Sequence, residues 1–156
     1  MRKGVIFELI KKMPGISYNG IVRETGLSNG VISHYIIKLI ENKEIEKETD
    51  RRGKYFVKNI SKKDRKIITI LRNKTNNDIF KYLIGQSKSQ DSSTAGEIAK
   101  QVKKSRSTIS VSLKILQQNN IIERIILNQN PKLTNDIGYR ILDMKVWSNY
   151  FIKYNL

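Results

Sequence analysis

One pattern of 26 residues occurs twice in this chain, 77 positions apart and without a gap. The first copy reads Ile21-Val22, Gly26-Leu27-Ser28, Ile32-Ser33, Leu39, Asn42 and Ile45-Glu46. The second reads Ile98-Ala99, Lys103-Lys104-Ser105, Ile109-Ser110, Leu116, Asn119 and Ile122-Glu123. Eight of the 26 residues from 21 to 46 are identical to their partners, and most other matched apolar positions stay apolar. A repeat of this size in 156 residues predicts two small folded units rather than one large core.

The spacing inside each copy predicts short helices. Residues 2–13 carry Val5, Ile6, Leu9 and Ile10 at helical intervals, and Pro14-Gly15 should stop that helix. Ser17 can cap a second helix that ends at Gly26. Ser28 can cap a third, whose inward stripe is Ile32, Ile36, Leu39 and Ile40. The pattern then changes to alternation: Ile45 to Glu48 and Lys54 to Lys58, with a glycine turn between them, read as a β-hairpin. Three helices followed by such a hairpin make a winged helix-turn-helix over residues 1–60.

The basic amphipathic stretch 61–74, with Ile67, Ile68 and Leu71 on one side, reads as a linker helix. A second unit follows over 75–156. Thr75 can cap its first helix, and the polar stretch 87–93 forms a loop. Helices over 94–102 and 105–119 follow, then a strand at 121–127, a long wing tip at 128–137 and a return strand at 138–143. An aromatic helix at 144–155 ends the chain. The expected fold class is mainly α with small β-wings: tandem winged helix-turn-helix domains joined by a linker helix, with a C-terminal helix.

Composition narrows the chemistry. The formal charge is +16, with 12 Lys/Arg against seven Asp/Glu in residues 1–60 and 18 against seven in residues 61–156. Such an excess attracts phosphate backbones and releases their condensed counterions on binding. There is no cysteine and one histidine, His34. Thiolate metal sites, Cys nucleophiles and a histidine metal cage are therefore excluded, and no cofactor is expected. No apolar run reaches the roughly 18 residues of a spanning helix, and no signal-peptide core follows Met1-Arg2-Lys3. The chain is expected to be cytoplasmic and nucleoid-associated, with no membrane partner. No paired carboxylates, phosphate-cradling glycine loop or Ser/His/Asp arrangement points to an enzyme.

A helix lying in the major groove of DNA needs an apolar inner face and an outer face of polar and basic groups near its N-terminus. In the first copy the outward candidates are Ser28, Asn29, Ser33, His34 and Lys38, beside Gly30 and Ile37. The second offers Ser105, Arg106, Ser107, Thr108, Ser110 and Lys114, beside Val111, with Lys103 and Lys104 in the turn. Ser28 and Ser105 cap their helices, leaving N–H groups that favour a phosphate. The hairpin tips add Arg51, Arg52 and Lys54 in the first wing and Lys132 in the second, with Arg124 and Arg140 flanking it. These suit a minor groove or a phosphate clamp. On the last helix Met144, Trp147, Tyr150, Phe151 and Tyr154, with Val146 widening the face, form an apolar side that suits either its own domain's core or a dimer interface.

These residues carry a family resemblance. GISYNGIVRETGLSNGVISHYIIKLIENKEIEKE, residues 15–48, resembles the first unit of archaeal transcriptional regulators with two winged helices. TAGEIAKQVKKSRSTISVSLKILQQNNIIER, residues 94–124, resembles their second, MarR/ArsR-like unit, and LRNKTNNDIFKYLI, residues 71–84, is similar to the helix entry common in ArsR-type repressors. The resemblance implies recognition helices at 28–41 and 105–118 and wings at 44–58 and 121–143. Two departures stand out: the Cys and His ligands of metal sensors are missing, and Lys103-Lys104 replaces the usual Gly-Leu of the turn.

The favoured reading is a sequence-specific regulator of transcription, acting on double-stranded DNA as a homodimer over an inverted repeat. Two alternatives remain open. One is an architectural nucleoid protein that binds by charge alone. The other is a protein-interaction module that meets the transcription machinery.

Overall fold

The computed structural model describes residues 2–48, 53–86, 92–127 and 136–156. The chain forms two compact units, Met1–Arg72 with Tyr154–Leu156, and Asn73–Lys153. Both are winged helix-turn-helix folds: mainly helical, with small antiparallel hairpins.

In the first unit α1 (Arg2–Lys12), α2 (Tyr18–Thr25) and α3 (Asn29–Glu41) precede β1 (Ile45–Glu48), β2 (Lys54–Val57) and α4 (Lys62–Arg72). Ile6 and Ile10 from α1, Ile21 from α2, and Ile32, Ile36 and Leu39 from α3 meet Ile45, Tyr55 and Val57 in one cluster. Ile40, expected on the inward stripe, is instead exposed. Ser17 caps α2 by accepting from the Gly20 N–H, and Ser28 caps α3 by accepting from the Val31 N–H.

Successive residues of a strand face opposite ways. Tyr55 and Val57 therefore enter the helical cluster while Phe56, between them, points away. Phe56 is buried nonetheless, because α4 covers that other face with Arg65 and Ile68. The stretch read as a linker helix thus builds the first unit. Gly15 marks how tightly it does so: its φ is +80°, and a Cβ there would stand 2.9 Å from Ile68 Cγ2 and 3.4 Å from the Phe56 ring. Both the left-handed backbone and the missing side chain are required. The adjoining Ile16 pairs with Tyr55 as an isolated bridge.

Arg65 is the buried cation of this unit. Its Nε donates to the Ile60 carbonyl, Nη2 to the Lys58 carbonyl, and Nη1 to Glu46 at 2.6 Å and Glu48 at 3.4 Å. Its guanidinium carbon lies 5.4 Å from the centre of the Phe56 ring. Arg72 plays a similar part at the helix end, donating to the carbonyls of Pro14, Tyr154 and Asn155. The Tyr154 hydroxyl donates to Asp64.

The second unit comprises α5 (Lys74–Gly85), β3 (Ser93–Thr94), α6 (Ala95–Val102), α7 (Arg106–Gln118), β4 (Ile122–Ile126), β5 (Ile137–Ile141) and α8 (Met144–Lys153). Asn73, not Thr75, caps α5, through the Asn76 N–H. The strands form an antiparallel sheet of order β3-β5-β4. The core holds Ile79, Phe80 and Leu83 from α5, Ile98 from α6, Ile109, Leu113 and Leu116 from α7, and Ile121, Ile122 and Ile141. Ser93, fully buried, donates to Gln86, which in turn donates to Tyr82.

The repeat holds in the backbone. Helix α6 starts and ends 77 residues after α2, and α7 does the same after α3. Lys43 and Asn120, also 77 apart, both have φ of 58° just beyond the third helix of each copy.

Candidate nucleic-acid interface

Ser105 opens α7 in extended geometry and accepts from the Thr108 N–H, with its hydroxyl also 3.1 Å from Ser107 Oγ and 2.9 Å from Thr108 Oγ1. Ile109, Ser112, Leu113 and Leu116 turn inward. Every candidate on the other side is exposed: Arg106, Ser107, Thr108, Ser110 and Lys114, with Lys103 and Lys104 in the turn. Among the described residues no carboxylate pairs with Lys103, Lys104, Arg106 or Lys114. A cationic, hydrogen-bonding face at the start of a helix is what phosphates and base edges require.

The unusual turn keeps the usual geometry. Lys103 adopts φ 59°, ψ 48°, and its N–H bonds to the Ala99 carbonyl, as Gly26 at φ 66° bonds to the Val22 carbonyl in the first copy. A side chain in this left-handed region carries a steric cost that glycine avoids. Lys103→Gly is therefore expected to raise the stability of the second unit by about 0.5–1 kcal/mol. The same change should lower the slope of log affinity against log salt by about one if the ammonium meets a phosphate. Thermal melts with salt-dependent binding check both, and an unchanged slope removes Lys103 from the interface.

The first copy presents a different surface. Ser28 and Asn29 are exposed at the start of α3, but Ser33 is half-buried. The Tyr18 hydroxyl donates to the Asn29 carbonyl at 2.9 Å and lies 2.8 Å from Ser33 Oγ. With its proton already given to Asn29, Tyr18 accepts from Ser33, so that hydroxyl is engaged inside the unit. The matching residue of the second copy is Ala95, which has no hydroxyl, and Ser110 stays exposed. Tyrosine against alanine at one repeat position was the available sequence signal. His34 is exposed and edge-on to Tyr35 at 5.0 Å, and Lys38 Nζ lies 5.9 Å from the same ring.

Of the wing candidates, Lys54 is half-buried at the start of β2. Arg51, Arg52 and Lys132 lie outside the described residues. Arg124 is exposed, whereas Arg140 is ion-paired with Glu123 across β4 and β5. Arg65 lowers the Glu46 carboxyl below its ordinary value, first by hydrogen bonding and then by charge.

The aromatic side of α8 faces its own unit. Trp147 meets Phe80 edge-on at 6.3 Å, and Phe151 meets the same ring at 6.0 Å. Met144 and Tyr150 are half-buried, and Tyr154 is buried, its hydroxyl on Asp64. The exposed apolar residues in this segment are Leu142, Val146 and Ile152, of which only Val146 belongs to the face expected from the sequence.

The fold and this exposed basic helix define a winged-helix protein of the DNA-binding kind. Residues 73–124 match the family described as "Bacterial regulatory protein, arsR family". That match runs from the cap of α5 into β4 and supports a DNA-binding transcription regulator acting on double-stranded DNA. No curated protein matches the chain. Among the described residues no cluster of three His, Cys, Asp or Glu side chains could hold a metal ion, and no helix is long and apolar enough to cross a membrane.

Proposed function

We propose that the protein is a sequence-specific regulator of transcription that lays α7 in the major groove of its operator. The observation that carries this reading is the exposed polar and basic face of α7 and its turn, beside the arsR-type match over the same helices. Arg106 stands at the helix start, where a guanidinium can take guanine O6 and N7 bidentately. Ser107 and Ser110 supply short donors and acceptors, while Lys103, Lys104 and Lys114 meet phosphates. The first copy contributes less base reading, through Asn29 and His34, and its hairpin tip acts as a clamp through Arg51, Arg52 and Lys54. Lys132 does the same in the second wing.

Arg106→Ala is expected to cost roughly 1–3 kcal/mol of binding and to relax specificity at one base pair. Replacing Arg51 and Arg52 should weaken all duplexes alike and flatten the salt dependence. Quantitative binding to a panel of single-base operator variants checks the contrast, and identical profiles for the two variants defeat the division into reader and clamp.

A homodimer over an inverted repeat belongs to the same reading, with exposed Leu142 and Val146 beside Met144 and Tyr150 as its apolar contact. Light scattering that gives the mass of one chain removes the dimer. The +16 charge favours a second reading, an architectural protein that coats DNA without base preference. Equal affinity for a selected site and for random duplex at ~200 mM salt would establish that reading instead. A role within the transcription machinery requires capture of polymerase that is independent of DNA.

A further inference from the structure

Val111 has 62% of its surface exposed, in the middle of the polar face of α7. Ser107, Thr108 and Lys114, its neighbours at helical spacing, are all exposed as well. Nothing in the fold calls for an apolar residue here. The same backbone position in the first copy holds His34, which is exposed too. Valine is also a poor choice for an exposed helix position, because its branched Cβ loses rotamer freedom against the preceding turn. Lys114 shares its face, and Lys103, Lys104 and Arg106 stand exposed at the start of the same helix, a setting hostile to an apolar protein patch and suited to a polyanion.

We infer that Val111 is a specificity-determining residue that packs on the 5-methyl group of a thymine in the major groove. Among the groups that base pairs present there, the thymine methyl is the apolar one, and small aliphatic side chains contact it. The inference rests on α7 being the reading helix and goes further by naming a base. It also sets a register. Val111 lies five residues beyond Arg106, about 7–8 Å along the helix at roughly 1.5 Å per residue. With base pairs about 3.4 Å apart, its thymine falls about two to three pairs from the position that Arg106 reads.

The test uses the full chain and a duplex selected from random sequence by the protein itself, with each thymine replaced in turn by deoxyuridine, which lacks only the methyl. Wild type is expected to lose about three- to fivefold in affinity at one such position, the ratio expected for one buried methyl. That position should lie within three base pairs of the one at which Arg106→Ala relaxes specificity. Val111→Ser should bind the thymine and uracil duplexes equally, and its melting temperature should stay close to wild type because the side chain is exposed. Selective binding by wild type with no uracil-sensitive position overturns the inference and leaves the regulator standing. Uracil sensitivity that survives Val111→Ser gives the methyl to another residue and also overturns it. Failure to prefer the selected duplex over random sequence defeats the regulator reading itself, and the inference with it.

Discussion

Phe80→Ala is expected to destabilise the second unit by about 3–5 kcal/mol, the cost of emptying a fully enclosed aromatic site. Phe80 has no exposed surface and holds the rings of Trp147 and Phe151 against α5. Its loss should free α8 as well as open a cavity. Trp147 is the only tryptophan in the chain, so its emission reports the change directly. A red shift at temperatures where the far-ultraviolet signal persists is the expected result. Unchanged emission with a loss below about 1 kcal/mol would mean that α8 is held by something else. The same geometry governs any test of dimerisation. Trp147 and Phe151 serve their own unit, and Tyr154 serves the first, so truncating the last helix would disturb folding along with association. Substitutions at Leu142 or Val146 avoid that confusion.

Arg65→Ala should cost the first unit about 2–3 kcal/mol. The full penalty for breaking a buried ion pair runs higher, but Glu46 and Glu48 are roughly half exposed, and water screens them. The loss includes the two carbonyl bonds to Ile60 and Lys58 and the contact with Phe56. A pH signature accompanies it. Because Arg65 holds the Glu46 carboxyl below its ordinary value of 4.5, that contribution is fully present above about pH 4.5 and fades as the pH falls through the lowered folded value. Urea unfolding at pH 6 and pH 3 should show this acid loss in wild type and not in Arg65→Ala. An equal acid loss in both proteins would show that Arg65 does not tune Glu46.

The helices and caps were legible because they depend on short-range rules. Ser17, Ser28 and Ser105 cap where the spacing placed them, and Ile21, Ile32, Leu39 and their partners 77 residues on are all buried. What escaped depended on partners distant in sequence. A basic stripe with Ile67, Ile68 and Leu71 predicts an amphipathic helix but not what it covers, so α4 read as a linker. Arg65 lies within that basic stretch, and only the fold brings two acidic residues of β1 and the ring of Phe56 around it. β3 has two residues, too few for any alternation to show. Ser33 was expected to face outward because the spacing within α3 is blind to Tyr18, which reaches across the turn to engage it and which only the comparison with Ala95 of the second copy marks. Thr75 was expected to cap α5, but the helix begins two residues earlier and Asn73 takes that place.

The equal backbone of the two copies has an evolutionary consequence. Apart from Ser33, which Tyr18 engages, each outer face is decoupled from the scaffold beneath it: caps at Ser28 and Ser105, left-handed residues at Lys43 and Asn120, and the inward isoleucines and leucines fix the helix whatever lies outside. Gly26 and Lys103 show that even the turn tolerates a change of side chain at modest cost. The exposed positions of α3 and α7 can therefore change one codon at a time while the helix beneath them keeps its fold.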